Sequence, residues 1–273
     1  MIEKYYDGAI EQVAAGLGTV EKNYLLVRYS GQFSVENLND TKQLEKNEDI
    51  FVQVHEFETG EITCAYEPYL TMICDGFRRY MTGTFEEFME TCDVYYLHRP
   101  VLLGYFNQDN TGREEIILLD EVAYEQERML AALERMLCAI ADRHPVLFVL
   151  NRFQLASKST MQLTARFLKC ENCNIGLVLG VSDIQAMPEF LVPDWEMLYE
   201  TLDDGSKIYH IGNSGRKKEE TIDDEKYVDY GSEKVYRKLQ NMVEFLDFDQ
   251  AAYYLETIER KIKFDNLLVD DAA

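Results

Sequence analysis

Pro145-Val146-Leu147-Phe148-Val149-Leu150-Asn151 and, one helix later, Asn174-Ile175-Gly176-Leu177-Val178-Leu179-Gly180-Val181 are continuous apolar runs of strand length. A strand with one face in water alternates apolar and polar residues, whereas a parallel strand covered by helices on both faces is apolar throughout. Between the runs, the stretch from about Ser159 to Lys169 has the spacing of a helix, giving the strand-helix-strand unit of a parallel sheet. Just ahead of them, Val122 to Ala141 repeats Met129, Leu130, Leu133, Met136, Leu137 and Ile140 at helical intervals. A single apolar stripe of that kind should lie on the sheet.

Working outward, Tyr24 to Tyr29 reads as a further buried strand and Asp49 to Phe57 as another. A helix from about Ile2 to Ala15 precedes the first, stopped by Gly16-Leu17-Gly18. Pro68 opens a helix that carries Tyr69, Met72, Ile73, Phe77 and Tyr80 on one face. From Gly83 to Glu121 the pattern is irregular, which predicts helices with a mobile loop around Asn107 to Gly112. After Pro193 the texture changes: a strand is expected at Lys207 to Ile211, followed by the polar stretch Arg216 to Asp229, read as linker. Two helices with a break near Phe245 to Phe248 close the chain. The expected organisation is an α/β domain over 1–190, a lid or linker with an acidic loop over 191–231, and a helical hairpin over 232–273.

The chain has 273 residues, 50 acids against 27 bases, and a formal charge of −23. That surplus repels phosphate backbones and anionic lipid heads, so neither direct nucleic-acid binding nor a membrane partner is expected. No apolar run approaches the ~20 residues a bilayer span requires. Met1 to Tyr6 has no basic segment leading into an apolar stretch, from which a cytoplasmic location is expected. Six cysteines without framework spacing are read as reduced thiols, including the pair Cys170 and Cys173, which has no second pair to complete a zinc site. The four histidines share no motif, and Asp203-Asp204-Gly205-Ser206 reads as a turn.

In its order of elements, residues 1 to about 190 resemble the STAND class of AAA+ signalling ATPases, nucleotide-switch modules of bacterial regulators. The matching stretches are Pro145 to Leu163, set against the family's buried strand with acidic end and following helix, and Ala65-Tyr66-Glu67-Pro68-Tyr69-Leu70, set against its proline-led helix start. The resemblance implies a three-layer P-loop NTPase-like parallel sheet with flanking helices. It also places Tyr29-Ser30-Gly31-Gln32-Phe33-Ser34-Val35-Glu36 over the phosphate loop, with Val35 at the lysine position and Glu36 at the hydroxyl position. Asn151 and Arg152 stand where the two acids of the metal-binding strand belong.

Two unit charges about 4 Å apart near a protein surface interact by about 4 kcal/mol, so replacing a lysine by valine and adding a carboxylate is a large change. Loss of triphosphate binding and of hydrolysis is therefore expected, with no cofactor and no catalytic residue or metal site. The degenerate nucleotide-site positions are Ser30, Gly31, Gln32, Ser34, Glu36 and Asn151. The alternative is an NTPase switch holding ATP or ADP with Mg through a non-standard loop built on Ser30, Gly31, Gln32 and Ser34. The hairpin, with Tyr236, Leu239, Met242, Val243, Leu246, Ala251, Tyr254, Leu255 and Ile258, resembles the start of a tetratricopeptide-like region. One helix pair cannot close a solenoid. The sequence is thus read as the front part of a larger bacterial regulator, a signal-transduction or scaffolding module acting on a protein partner or a downstream effector domain; a purely helical-repeat adaptor is the remaining alternative.

Overall fold

The computed structural model describes residues 2–19, 23–29, 35, 49–58, 63–108, 121–170, 174–182, 187–202, 208–211 and 232–270. Its strands are β1 (Tyr24–Tyr29), β2 (Phe51–Glu56), β3 (Val146–Asn151), β4 (Ile175–Ser182) and β5 (Ile208–Ile211). Its helices are α1 (Ile2–Gly16), α2 (Tyr69–Tyr80), α3 (Phe85–Thr91), α4 (Arg99–Asn107), α5 (Val122–Ala141), α6 (Lys158–Lys169), α7 (Val192–Leu202), α8 (Ser232–Glu244) and α9 (Phe248–Asp270). The strands form one sheet in the order β2-β3-β4-β1-β5, and every neighbouring pair is parallel. This is the α/β architecture that the two apolar runs predict. β3 and β4 are buried along their whole length, while β2 at the edge is only partly buried beyond Phe51.

Helices cover both faces. On one, α1 sets Ala9, Ile10 and Val13 against Leu25, Val27, Leu147, Val149 and Val178. Gly176 makes this approach possible: a Cβ there would stand 2.8 Å from Val13 Cγ1 and 3.0 Å from Leu147 Cδ1. On the other face α2, α5, α6 and α7 share one apolar core with Leu26, Phe148, Leu150, Leu177 and Leu179. The steps β3-α6-β4 and β4-α7-β5 advance in the same direction across the sheet, and right-handed crossovers then put both helices on the same side. Tyr69 of α2 is wedged edge-on between Phe148 and Phe167, with ring centroids 4.7 and 5.1 Å away, and its hydroxyl meets Thr164 Oγ1 at 2.6 Å.

The structure adds detail to three stretches. The irregular segment after Gly83, where helices were expected, contains α3 and α4; Thr84 and Glu87 exchange side-chain and backbone hydrogen bonds in a capping box that starts α3. After residue 191 the chain supplies α7, a helix not expected from the sequence, which packs on α6, and β5, the strand expected at Lys207 to Ile211, which adds a rung beside β1. The hairpin closes through Met242, Ala251 and Tyr254 with Val235, Leu239 and Ile258. It also docks on the α/β body: Phe245, 1% exposed, lies edge-on to Tyr66 and Tyr105, and Asn241 Oδ1 accepts the Ala65 N–H at 3.0 Å. No helix among the described residues is long and apolar enough to cross a membrane.

Candidate functional site at the strand ends

In an open parallel sheet, ligands bind outside the carboxyl ends of the strands, where outgoing connections diverge. Here β1 leads to β2 at one edge, whereas its neighbour β4 leads the opposite way to β5. The crevice therefore falls at the ends of β1, β3 and β4, where Tyr29, Asn151, Arg152 and Ser182 lie, with Glu56 next to Asn151 in register at the end of β2.

Two polar links fill this corner. The Tyr29 hydroxyl donates to Asn151 Oδ1 at 2.7 Å, with Tyr29 1% and Asn151 0% exposed. β4 lies between their strands, and by strand alternation Gly180, which has no side chain, shares the face of Val178. Burial pushes the Tyr29 phenol up to about 12, although the Arg152 charge and the bond to Asn151 pull it down. Tyr29 is thus a neutral donor at ordinary pH.

The second link is made by Glu56. Its Oε2 accepts the backbone N–H of Val35 at 3.1 Å, and its Oε1 lies 3.2 Å from Arg152 Nη2. Arg152 occupies the left-handed region, φ 54°, where β3 turns into the short 3-10 segment Phe153–Leu155. That turn also brings Gln154 back to the end of β4, where its amide donates to Ser182 O at 3.2 Å and accepts the Ser182 N–H at 3.4 Å. His55, beside Glu56 on the strand, is edge-on to Phe57 at 4.5 Å; burial lowers its pKa, with Glu56 opposing.

The same chain segment then reaches the hairpin. Ser157 caps α6 by accepting the Thr160 N–H at 3.3 Å, and the Ser159 N–H donates to Asp247 Oδ2 at 3.1 Å. Asp247 also caps α9, its Oδ1 accepting the Gln250 N–H at 3.4 Å. The Tyr66 N–H donates to Ser159 Oγ at 3.0 Å, and the Thr160 hydroxyl donates to Glu67 O at 2.8 Å. Glu67 takes hydrogen bonds from Tyr105 and Thr71, yet burial still raises its pKa.

Of the residues expected at a nucleotide site, Asn151 lies in the corner, and Ser30, Gly31, Gln32, Ser34 and Glu36 fall outside the described residues. Val35, expected from the resemblance to stand at a lysine position, is 1% exposed and belongs to the apolar cluster under α1. Sequence reasoning missed Tyr29 as a hydrogen-bond donor and Glu56 altogether; the available signal was an acid at the carboxyl end of the run Phe51-Val52-Gln53-Val54-His55-Glu56. Cys170 Sγ is 3.6 Å from Cys138 Sγ, while Cys173, the Asp203–Ser206 turn and the Arg216–Asp229 stretch lie outside the described residues. His98 is buried with Nε2 3.2 Å from Glu125 Oε2, away from the corner.

A magnesium triphosphate does not fit the described residues of the corner. The Val35 N–H and the Arg152 guanidinium, which an anion would use, already serve Glu56, and Asn151 serves Tyr29. A phosphate placed there would face the Glu56 carboxylate at close range. Among the described residues no group of three or more His, Cys, Asp or Glu is placed to hold a metal ion. A groove of about 520 Å³ lies elsewhere, between α2, α4 and α8. Its charges are mixed, Arg78 and Arg237 against Asp75 and Glu244, and Arg78 is itself held by Asp75 and the Phe106 carbonyl. Compared with known proteins, the chain matches no family model and no curated protein.

Proposed function

We propose that this chain is a non-catalytic signal-transduction or scaffolding module: a degenerate STAND-type domain of the P-loop NTPase fold whose nucleotide corner is filled by its own side chains. The parallel sheet, with β1 inside it and its exit at the divergence of the connections, supports the fold part of this reading. The observation that carries the functional part is the Glu56 carboxylate, which holds the Val35 N–H and the Arg152 guanidinium where phosphate contacts would be needed. Valine at the lysine position and asparagine at the acid position agree with it.

Such a module acts by contacts, on a protein partner or a downstream effector domain. The docked hairpin, with Tyr236, Val243 and Leu255 exposed, supplies apolar positions of the sort a following tetratricopeptide-like helix or a partner would cover. Isothermal titration of the chain with magnesium-ATP and magnesium-ADP tests the reading. No binding heat is expected, and a dissociation constant in the micromolar range would overturn it.

A further inference from the structure

We propose that Cys138 and Cys170 form a redox site, closing to a reversible disulfide when the chain meets a small-molecule disulfide oxidant. Cys138 lies in the last turn of α5 and Cys170 is the C-cap of α6; both are half-buried, and their sulfurs are 3.6 Å apart. One turn earlier on the same two helices, Arg166 Nε donates to Glu134 Oε2 at 2.8 Å, and Arg166 also pairs with Glu127. Positions four apart share one face of a helix. The ion pair and the thiol pair are thus successive contacts along one parallel seam, each joining positions 32 apart in sequence. Two helices and a charged pair bring the sulfurs into register, which a chance rotamer would not.

A disulfide requires the sulfurs to close to about 2.05 Å. Cys170 can supply the movement, because its backbone is extended, φ −65° and ψ 141°, and it stands just past the last helical residue. Burial, the neighbouring Cys170 and the acids Glu134 and Asp142 push the Cys138 thiol above its ordinary range. The thiolate is the attacking species, so Cys170 opens the exchange. Its sulfur attacks the oxidant RSSR, forming a mixed disulfide and releasing one RSH; Cys138 then attacks the Cys170 sulfur, forming the Cys138–Cys170 bond and releasing the second RSH. Two electrons and two protons pass from the thiols to the oxidant. The second step is intramolecular, and the existing contact offsets the weak ionisation of Cys138. Closure links α5 to α6 around a loop that contains β3 and the Asn151 to Ser159 segment, and α6 is the helix whose first turn holds Asp247 of the hairpin.

The test treats the full chain with hydroxyethyl disulfide and mercaptoethanol at graded ratios, a neutral couple that the chain charge of −23 does not repel. Peptide mapping under non-reducing conditions, thiol counting after denaturation and thermal denaturation read the result. Expected are a cross-linked Cys138–Cys170 peptide and four titratable thiols left of the six. Tm should rise by about 5–10 °C and fall back in dithiothreitol, since a bridge closing a loop of this length restricts the unfolded chain. Cys173→Ser should keep all three responses, and Cys138→Ser should lose them. A wild type that forms no Cys138–Cys170 peptide even in the disulfide alone overturns the inference. So do pairing of Cys170 with Cys173 in its place, mixed disulfides that accumulate at either position without closing, and a bridge that lowers Tm. Mapping the wild type decides between these outcomes even if Cys138→Ser does not fold. Magnesium-ATP binding would sink the non-catalytic reading and leave this inference standing.

Discussion

Substituting Asp247 should weaken two helix starts at once. The residue is 3% exposed, and its two oxygens serve different helices: Oδ1 accepts the Gln250 N–H in the first turn of α9, and Oδ2 accepts the Ser159 N–H in the first turn of α6. Losing an aspartate cap costs about 0.5–2 kcal/mol. Leaving the buried Ser159 N–H without its acceptor adds about 1–3 kcal/mol. Asp247→Ala should therefore lower stability by about 2–4 kcal/mol, a fall in Tm of about 5–15 °C for a chain of this size.

Asp247→Asn separates charge from hydrogen bonding. Burial raises the Asp247 carboxyl pKa above its ordinary value of 3.8, with the hydrogen bonds from Ser159 and Gln250 and the charge of Lys158 opposing. The native state consequently binds more protons than the unfolded chain between 3.8 and the raised pKa, and this group's contribution to stability is lost as pH rises through that window. The margin of wild type over Asp247→Asn should then be greatest near pH 4 and shrink toward neutrality. Urea unfolding followed by circular dichroism at several pH values measures both quantities. A Tm unchanged in Asp247→Ala, or a margin over Asp247→Asn that grows with pH, would refute the double-cap account.

Gly176→Ala should destabilise by about 1–3 kcal/mol in denaturant unfolding, because the added carbon overpacks the seam where Val13 and Leu147 close on β4. His55 should titrate below 6.5 in the folded protein by NMR; its folded pKa being depressed, its contribution to stability is present above 6.5 and is lost as pH falls through the folded value. Glu56→Lys is expected to oppose Arg152 with a like charge and to lower Tm more than Glu56→Gln does, a ranking that thermal denaturation would check.

The sheet was legible because burial leaves a mark on composition. β1, β3 and β4 are apolar apart from Arg28 and the closing Asn151 and Ser182, and α5 begins at Val122 and ends at Ala141 as its stripe predicts. α3 was legible too, through the capping box in Thr84-Phe85-Glu86-Glu87, but aromatic neighbours hid its period. α7 was obscured because Asp194, Glu196 and Glu200 give it a linker's polarity; its signal lay in Pro193 within the first turn and in Leu191, Trp195, Leu198 and Leu202 at helical spacing. The candidate site was half legible. A motif comparison could draw attention to Asn151, but the contacts Tyr29–Asn151 and Glu56–Arg152 span 122 and 96 positions of sequence respectively and depend on strand order, which no local pattern encodes.

One short segment joins the corner to the hairpin. Asn151 and Arg152 meet Tyr29 and Glu56, Gln154 ties the turn to the end of β4, and Ser157 and Ser159 deliver the start of α6 to Asp247. Each step is a hydrogen bond or ion pair from buried or half-buried groups, and the residues between are packed: Phe153 and Ala156 are fully buried. A segment so constrained cannot shift at one end without straining the other, because close-packed interiors transmit displacement. Whatever displaces Glu56 from Arg152 would thus act on the turn that positions Ser159, and through Asp247 on the first turn of α9. If the chain works by contacts, as proposed, the nine residues from Asn151 to Ser159 are the stretch through which its strand-end corner and its hairpin are joined.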